Sequence, residues 1–172
     1  MRFAAKTRRV LAIDPTSRGF GFAVFEGPTS IIDWGVKSIR TDKGASTLLK
    51  VDQLVRHYLP DVVALENHAG KGSRRCCRIR LLIDTLRRDI EDRRVKTRLF
   101  SRRQVCRVFA AFGATTKFEI AHAIAQQLPD LALDLPRYRK PWMSEDYRMA
   151  IFDAASLALT FYFSLPRQTS RQ

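Results

Sequence analysis

Apolar positions in the first forty residues are grouped in short runs of strand length. Two such runs, 9–14 and 20–25, are separated by a turn rich in proline, serine and glycine, which predicts two strands joined as a hairpin. Residues 31–39 supply a third run of similar length. We therefore expect the chain to begin with three sequential antiparallel strands.

The middle of the chain alternates between helical and strand-like spacing. Apolar residues recur at helical intervals in 46–58, Pro60 ends that helix, and the apolar run 61–66 follows as a strand. The amphipathic segment 73–93 predicts a second, longer helix, and 95–100 predicts a fifth strand. Each of these helices is expected to carry the chain back to the same sheet.

The last third of the chain predicts helices and no further strand. Its predicted segments are a helix over 101–109 capped by Ser101, a helix over 116–128 with a capping box at Thr116 and Glu119, a proline-bounded loop over 129–141, and a last helix over 144–163 capped by Ser144.

This order of elements, β-β-β-α-β-α-β-α-α-α, predicts an α/β fold in three layers, with a mixed five-stranded sheet flanked by helices. The chain has 172 residues and no internal repeat or linker-like stretch. We therefore expect one domain over 1–172, with a short basic segment at 1–8 and a polar tail at 167–172.

The balance of charge indicates an acidic partner. Lysine and arginine total 31 against 17 acidic residues, which gives a net charge of +14 and a pI near 10.5, as is typical of nucleic-acid-binding proteins. No apolar stretch reaches the ~20 residues that a membrane span needs, and the charged N-terminus does not resemble a signal peptide. We expect a cytoplasmic protein with no membrane partner.

Three carboxylates stand alone in apolar surroundings. Asp14 and Glu66 each end an apolar run, and Asp153 interrupts another. A buried carboxylate is costly unless it is paired or binds a metal, and hard divalent cations prefer oxygen ligands. In a basic chain this pattern predicts a divalent-metal site that acts on a polyanion. The alternative is three unrelated carboxylates that serve a turn, a surface ion pair and a solvent-facing helix position.

The segment Leu11–Ala23, LAIDPTSRGFGFA, resembles the first-strand motif of RuvC-type Holliday junction resolvases, in which an aspartate is followed by Pro, a small residue, Ser and Arg. The resemblance continues in the same order with Glu66, with FGATTK at 112–117 and with DAASLAL at 153–159.

The resemblance implies an RNase H-like fold, a homodimer, and cleavage of branched DNA with Mg²⁺ or Mn²⁺. It also implies that Asp14, Glu66 and Asp153 are catalytic metal ligands and that Lys117 is a catalytic basic residue near the scissile phosphate.

Two positions depart from the resembled pattern. Ala150 stands where such proteins usually place a fourth ligand, Asp or His, and the aromatic residue usual just beyond the glutamate is missing. Asp146 is a candidate for the fourth catalytic and metal-binding carboxylate, since it precedes Asp153 by two helical turns, although this spacing is about 10 Å along a helix. Glu145 is a weaker candidate, because both acids follow the expected cap Ser144, where the helix dipole alone favours them.

Basic residues in four places along the chain predict contacts with DNA phosphates. They are Lys71, Arg74, Arg75 and Arg78 around the start of the second helix, Arg102 and Arg103 after the fifth strand, Lys117, and Arg139 and Lys140 in the proline-bounded loop.

We therefore interpret the chain as a metal-dependent, structure-selective endodeoxyribonuclease for four-way or other branched DNA. Two alternatives stay open at this point: a related RNase H-like nuclease with another nucleic-acid substrate, and a junction-binding protein with impaired catalysis, which Ala150 favours.

Overall fold

The computed structural model describes residues 7–69 and 73–165. The expected basic segment lies mostly, and the expected polar tail wholly, outside the described residues. The elements are β1 (Val10–Thr16), β2 (Gly19–Gly27), β3 (Ser30–Ser38), α1 (Lys43–Tyr58), β4 (Val62–Glu66), α2 (Cys77–Asp92), β5 (Lys96–Phe100), α3 (Arg102–Ala110), α4 (Lys117–Gln127), a 3-10 helix (Pro129–Asp134) and α5 (Met149–Ser164).

The five strands form one mixed sheet in the order β3-β2-β1-β4-β5, which confirms the predicted fold class. β1 and β2 are antiparallel, with Thr16 opposite Gly19 across a tight turn, and β2 pairs with β3 in the same sense. β4 lies parallel to β1 and to β5. The helices α1 and α2 make the crossovers that these parallel pairs require.

Side chains alternate between the two faces of the sheet and separate the core into two layers. On β1, Leu11 and Ile13 face the layer that contains α1 and α2. Val10 and Ala12 face the opposite layer, which contains α3, α4 and α5. The central strands are therefore buried on both faces, which explains their nearly continuous apolar sequences.

Helices α1 and α2 begin at positions other than those predicted, and one further helix lies in a predicted loop. α1 begins earlier, because the side chain of Asp42 caps it by accepting from the backbone N–H of Ala45. α2 begins at Cys77 rather than at residue 73, after four residues without regular structure. The predicted loop over 129–141 contains the 3-10 helix.

The last helix differs most from its prediction. It begins at Met149, and Ser144 does not cap it. The N–H of Met149 bonds the carbonyl of Asp146 at 3.0 Å, and that of Ile151 bonds Arg148 at 3.0 Å. These three-residue spacings describe a tight turn before the α-helix begins, so the two acids at 145 and 146 precede the helix instead of lying on it.

α5 lies against the sheet with almost no side chain between them at Gly21. A Cβ built on Gly21 would lie 2.2 Å from the carbonyl oxygen of Ala150 and 2.6 Å from its Cβ. Gly21 is directly opposite Asp14 in the β1–β2 pair. The glycine therefore sets how closely α5, which carries Asp153, approaches the strand that carries Asp14.

We expect Gly21→Ala to lower the free energy of unfolding by at least about 2 kcal/mol, because the added methyl group overlaps backbone atoms that have little room to move. Gly44→Ala is the matched control, since a Cβ there meets nothing within 4 Å. The control should be neutral or more stable by about 0.4–1 kcal/mol. Urea denaturation of both variants checks this, and equal stabilities would contradict the close contact at Gly21.

Candidate active site

The three predicted carboxylates lie in one cleft of about 480 Å³. Asp14 and Glu66 lie at the carboxyl ends of β1 and β4, which are parallel neighbours, so both strand ends lie at the same edge of the sheet. Asp153 reaches the cleft from α5. The polar residues that line the cleft are Asp14, Glu66, Arg74, Arg75, Arg102, Lys117, Asp153 and Ser156.

Asp14 is the most deeply buried of the three, with 2% of its surface exposed. Burial raises the pKa of Asp14 to about 7, and Arg75 opposes this rise. The nearby charge of Asp153 adds to the rise. The carboxylate of Asp14 is thus held at a position where the protein must supply positive charge to keep it ionised.

Arg75 supplies that charge. Its Nη2 donates to Asp14 Oδ1, its Nε donates to Glu66 Oε2 at 2.5 Å, and its Nη1 donates to the carbonyl of Pro15 at 2.9 Å. Burial alone would lower the pKa of Arg75, but Asp14 and Glu66 raise it above its ordinary value. The sequence predicts Arg75 as a DNA-binding residue, and the structure gives it a bridging position between two of the candidate ligands.

Lys117 forms the second bridge. It is the first residue of α4, directly after the N-cap Thr116. Its Nζ lies 2.7 Å from Asp153 and 2.6 Å from Glu145. Burial alone would lower the pKa of Lys117, and these two carboxylates raise it. Burial raises the pKa of Asp153, whereas Lys117 opposes the rise.

Asp146 points to a different partner. Its Oδ1 accepts from the backbone N–H of Arg148 at 2.9 Å, and its Oδ2 accepts from the Arg148 guanidinium at 2.7 Å. These bonds lower the pKa of Asp146, and the residue is not part of the cleft lining. The structure thus brings Glu145, rather than Asp146, to the candidate site through Lys117. The residue pattern favoured Asp146, because it placed both acids on the last helix. The irregular turn before α5 determines instead which of them contacts Lys117, and neither acid belongs to the cleft lining.

The predicted DNA-binding residues are divided between several surfaces. Arg74, Arg75, Arg102 and Lys117 line the cleft. Arg78 lines a separate groove between α1 and α2, and Arg103 is exposed on α3. Arg139 and Lys140 are exposed in the loop before α5, and Lys71 lies outside the described residues.

The chemistry of the donor set fits a divalent metal ion, because three carboxylates converge and each is an oxygen ligand of the kind that Mg²⁺ and Mn²⁺ prefer. Within 7–69 and 73–165, however, no three acidic, histidine or cysteine side chains are grouped closely enough to hold an ion. The guanidinium of Arg75 and the ammonium of Lys117 lie between the carboxylates and neutralise them. A metal ion would have to exchange with at least one of these cations.

Across the described part of the chain, no helix is both long and apolar enough to cross a bilayer.

Comparison by sequence finds no relative, since no protein-family model and no curated protein matches the chain. Comparison by structure does find similar proteins. RuvC from Thermus thermophilus has a TM-score of 0.66 at 18% identity, and the alignment covers 90% of this chain and 93% of RuvC. The structure of RuvC from T. thermophilus in complex with a Holliday junction substrate has a TM-score of 0.66 at 17% identity, and the alignment covers 91% of this chain and 93% of that protein.

The yeast mitochondrial Holliday junction resolvase Ydc2 has a TM-score of 0.59 at 16% identity, and the alignment covers 91% of this chain and 78% of that protein. The resemblance that the first-strand motif indicates is therefore confirmed at the level of the fold: along most of its length, this chain has the RNase H-like architecture of RuvC-type resolvases.

Proposed function

We propose that this protein is a single-domain, metal-dependent endonuclease that cleaves four-way or other branched DNA. One observation carries the proposal: Asp14, Glu66 and Asp153, separated by up to 139 positions in the chain, converge on a cleft of a RuvC-like fold whose other polar lining is mainly basic. Carboxylates for metal ions and cations for phosphates are the two requirements of phosphodiester cleavage.

Asp14, Glu66 and Asp153 would hold the ions, which we take to be Mg²⁺ or Mn²⁺. When bound, such ions activate a water molecule and stabilise the leaving oxygen of an in-line displacement. The cleft residues contribute the rest. Lys117 and Arg102 place positive charge beside Asp153, where a scissile phosphate bound near this carboxylate would be neutralised and oriented.

Arg75 has two roles in this proposal. It pairs with the carboxylates of Asp14 and Glu66 and holds them in place when the cleft holds no substrate, through its bonds to both. A guanidinium binds a phosphate with the same fork geometry with which it binds a carboxylate. We expect Arg75 to transfer from the carboxylates to a DNA phosphate as the metal ion binds.

The proposal extends to the substrate and to the assembly of the protein. A neighbour of this fold binds a Holliday junction, and the chain's net charge of +14 suits a polyanion. A four-way junction has two equivalent strands to cut. One cleft of this kind would cut one of the two strands, so we propose that the protein acts as a homodimer. We also propose that the protein acts in the cytoplasm.

A junction-binding protein without cleavage is the second candidate, and Ala150 favours it. This residue is buried against Gly21 and supplies no ligand where the resembled family usually has one. The cleft and its basic residues would serve binding equally well in that case, so only an assay for cleavage separates the two.

Asp14→Asn should reduce metal-dependent cleavage of a synthetic four-way junction by more than about a hundredfold. Loss of a residue that only supports a metal ligand lowers activity by about 10- to 100-fold, and loss of a charged ligand should lower it at least as much. Junction binding in EDTA should stay within about twofold. Asp130→Asn, at an exposed position outside the cleft, should cut normally. Undiminished cutting by the Asp14 variant would exclude this site.

Glu145→Gln and Asp146→Asn form a matched pair at adjacent positions. We expect the change at Glu145 to reduce cleavage by about tenfold more than the change at Asp146, because only Glu145 contacts Lys117 and a charged hydrogen bond contributes roughly 1.5–3 kcal/mol. Single-turnover rates on the same junction check this. A larger loss at Asp146 would assign the fourth carboxylate to that residue instead.

Arg75→Ala should lower the free energy of unfolding in EDTA by about 3–5 kcal/mol, because it leaves Asp14 buried without its paired charge. Mn²⁺ should restore part of this loss, and thermal unfolding with and without the ion measures it. Arg87→Ala, which breaks an exposed pair with Glu91, is the control and should change stability by less than about 0.5 kcal/mol. If Mn²⁺ stabilises both variants equally, the carboxylates bound by Arg75 are not the metal site.

A further inference from the structure

The loop between the 3-10 helix and α5 exposes large aromatic side chains among positive charges. Trp142 is 77% exposed and Tyr138 is 71% exposed. Residues 135–144 contain Arg137, Arg139 and Lys140 and no acidic residue. Exposed aromatic rings next to cations are the combination that binds unpaired nucleotides, since rings stack on bases and cations bind the phosphates.

The local backbone holds Trp142 at the tip of a turn. The N–H of Met143 donates to the carbonyl of Lys140 at 3.0 Å, which closes a four-residue turn with Pro141 in its second position, where proline is favoured. The Arg139 side chain donates to the carbonyl of Met143 at 2.6 Å and ties the turn to the preceding residue. Trp142 occupies the third position, so its side chain is presented by an ordered turn.

A positive charge accompanies this ring. Lys140 Nζ lies 5.3 Å from the centroid of the Trp142 ring, within the range of a cation–π contact. A base stacked on this indole would therefore have its phosphate close to an ammonium group. The pairing of a π surface with a cation distinguishes this turn from an apolar patch suited to a protein partner.

The loop is joined to the cleft at both ends. Tyr138 packs edge-on against Phe118, with ring centroids 5.2 Å apart, and Phe118 follows Lys117 in α4. On the other side of the turn, Glu145 lies 2.6 Å from Lys117 Nζ. Trp142 and Glu145 are only three positions apart in the chain, so their Cα atoms are at most about 11 Å apart.

We propose that the segment 138–143, which includes this turn, is a binding surface for an unpaired nucleotide. A base stacks on Trp142, and Lys140 binds the adjoining phosphate. This inference rests on the proposed function in one respect, that nucleic acid occupies the neighbouring cleft. The base would belong to a strand that leaves the cleft in single-stranded form, since a base inside a duplex has both faces covered by its neighbours.

The chain has two tryptophans, which provides a direct test. Trp34 is partly buried and donates through Nε1 to Asp134 at 2.8 Å, so a Trp34→Phe background makes Trp142 the only tryptophan. This variant is titrated in EDTA with oligothymidylate and with a duplex of equal length. We expect oligothymidylate to quench the Trp142 emission by at least about half and the duplex to quench it much less at equal occupancy.

Substitutions of Trp142 in the wild-type background measure the contribution of the ring. Trp142→Ala should weaken oligothymidylate binding by about tenfold and duplex binding by less than about twofold, and Trp142→Phe should restore most of the loss. If Trp34→Phe does not fold, the difference in emission between wild type and Trp142→Ala reports the same ring. Emission that no DNA alters, or equal quenching by both DNAs at equal occupancy, would overturn the proposal.

Failure of this surface and failure of the proposed function are distinguishable. Normal junction cleavage together with unchanged DNA affinity in Trp142→Ala would remove the stacking surface and leave the nuclease. Quenching of Trp142 by oligothymidylate in a protein that cuts no junction with Mg²⁺ or Mn²⁺ would support the surface and remove the nuclease.

Discussion

The burial of the Asp14 carboxylate beneath α5 is the constraint on which the rest of this structure depends. An ionised carboxylate taken out of water is unstable unless another group compensates its charge. Arg75 provides this compensation, and the same guanidinium contacts Glu66 and the carbonyl of Pro15. Arg75, which lies in the segment before α2, therefore connects the ends of β1 and β4.

The position of α5 follows from the same constraint. Asp153 joins the other carboxylates only because the helix lies directly on β2, and Gly21 provides the space for this approach. Ala150 is buried at that contact. A charged or imidazole side chain at this position would have to fit between helix and sheet, so the close packing of α5 and the absence of a ligand at residue 150 are consistent with each other.

Two cation bridges, at Arg75 and at Lys117, give the cleft an internal balance of charge. In the proposed function, substrate binding would redistribute this balance, because phosphates would bind arginine and lysine while metal ions would bind the carboxylates that these cations release. The protein then does not need to expose a bare acidic cluster, which would repel DNA in the absence of metal ions. Under this proposal, the basic lining would attract the polyanion, and the carboxylates would stay paired with Arg75 and Lys117 until it arrives.

Local pattern determined a large part of this protein. Runs of apolar residues identified the central strands β1, β2 and β4, since a strand buried on both faces needs almost continuous apolar sequence. The cap Ser101 and the capping box at Thr116 marked the starts of α3 and α4. The isolated acids at 14, 66 and 153 were visible because charge is rare in apolar runs, and the structure brings them into one cleft.

Tertiary structure alone decided what these residues contact. No spacing indicates that Arg75 lies between Asp14 and Glu66, because this contact joins elements 61 positions apart in the chain. The choice between Glu145 and Asp146 depends on a turn whose hydrogen bonds replace the first turn of the predicted helix. The sequence by itself determined the order of the elements and which isolated acids are candidates for the chemistry, since both follow from local composition. The pairing of each charge was decided by packing, because ion pairs form between groups that the fold, and not the chain, makes neighbours.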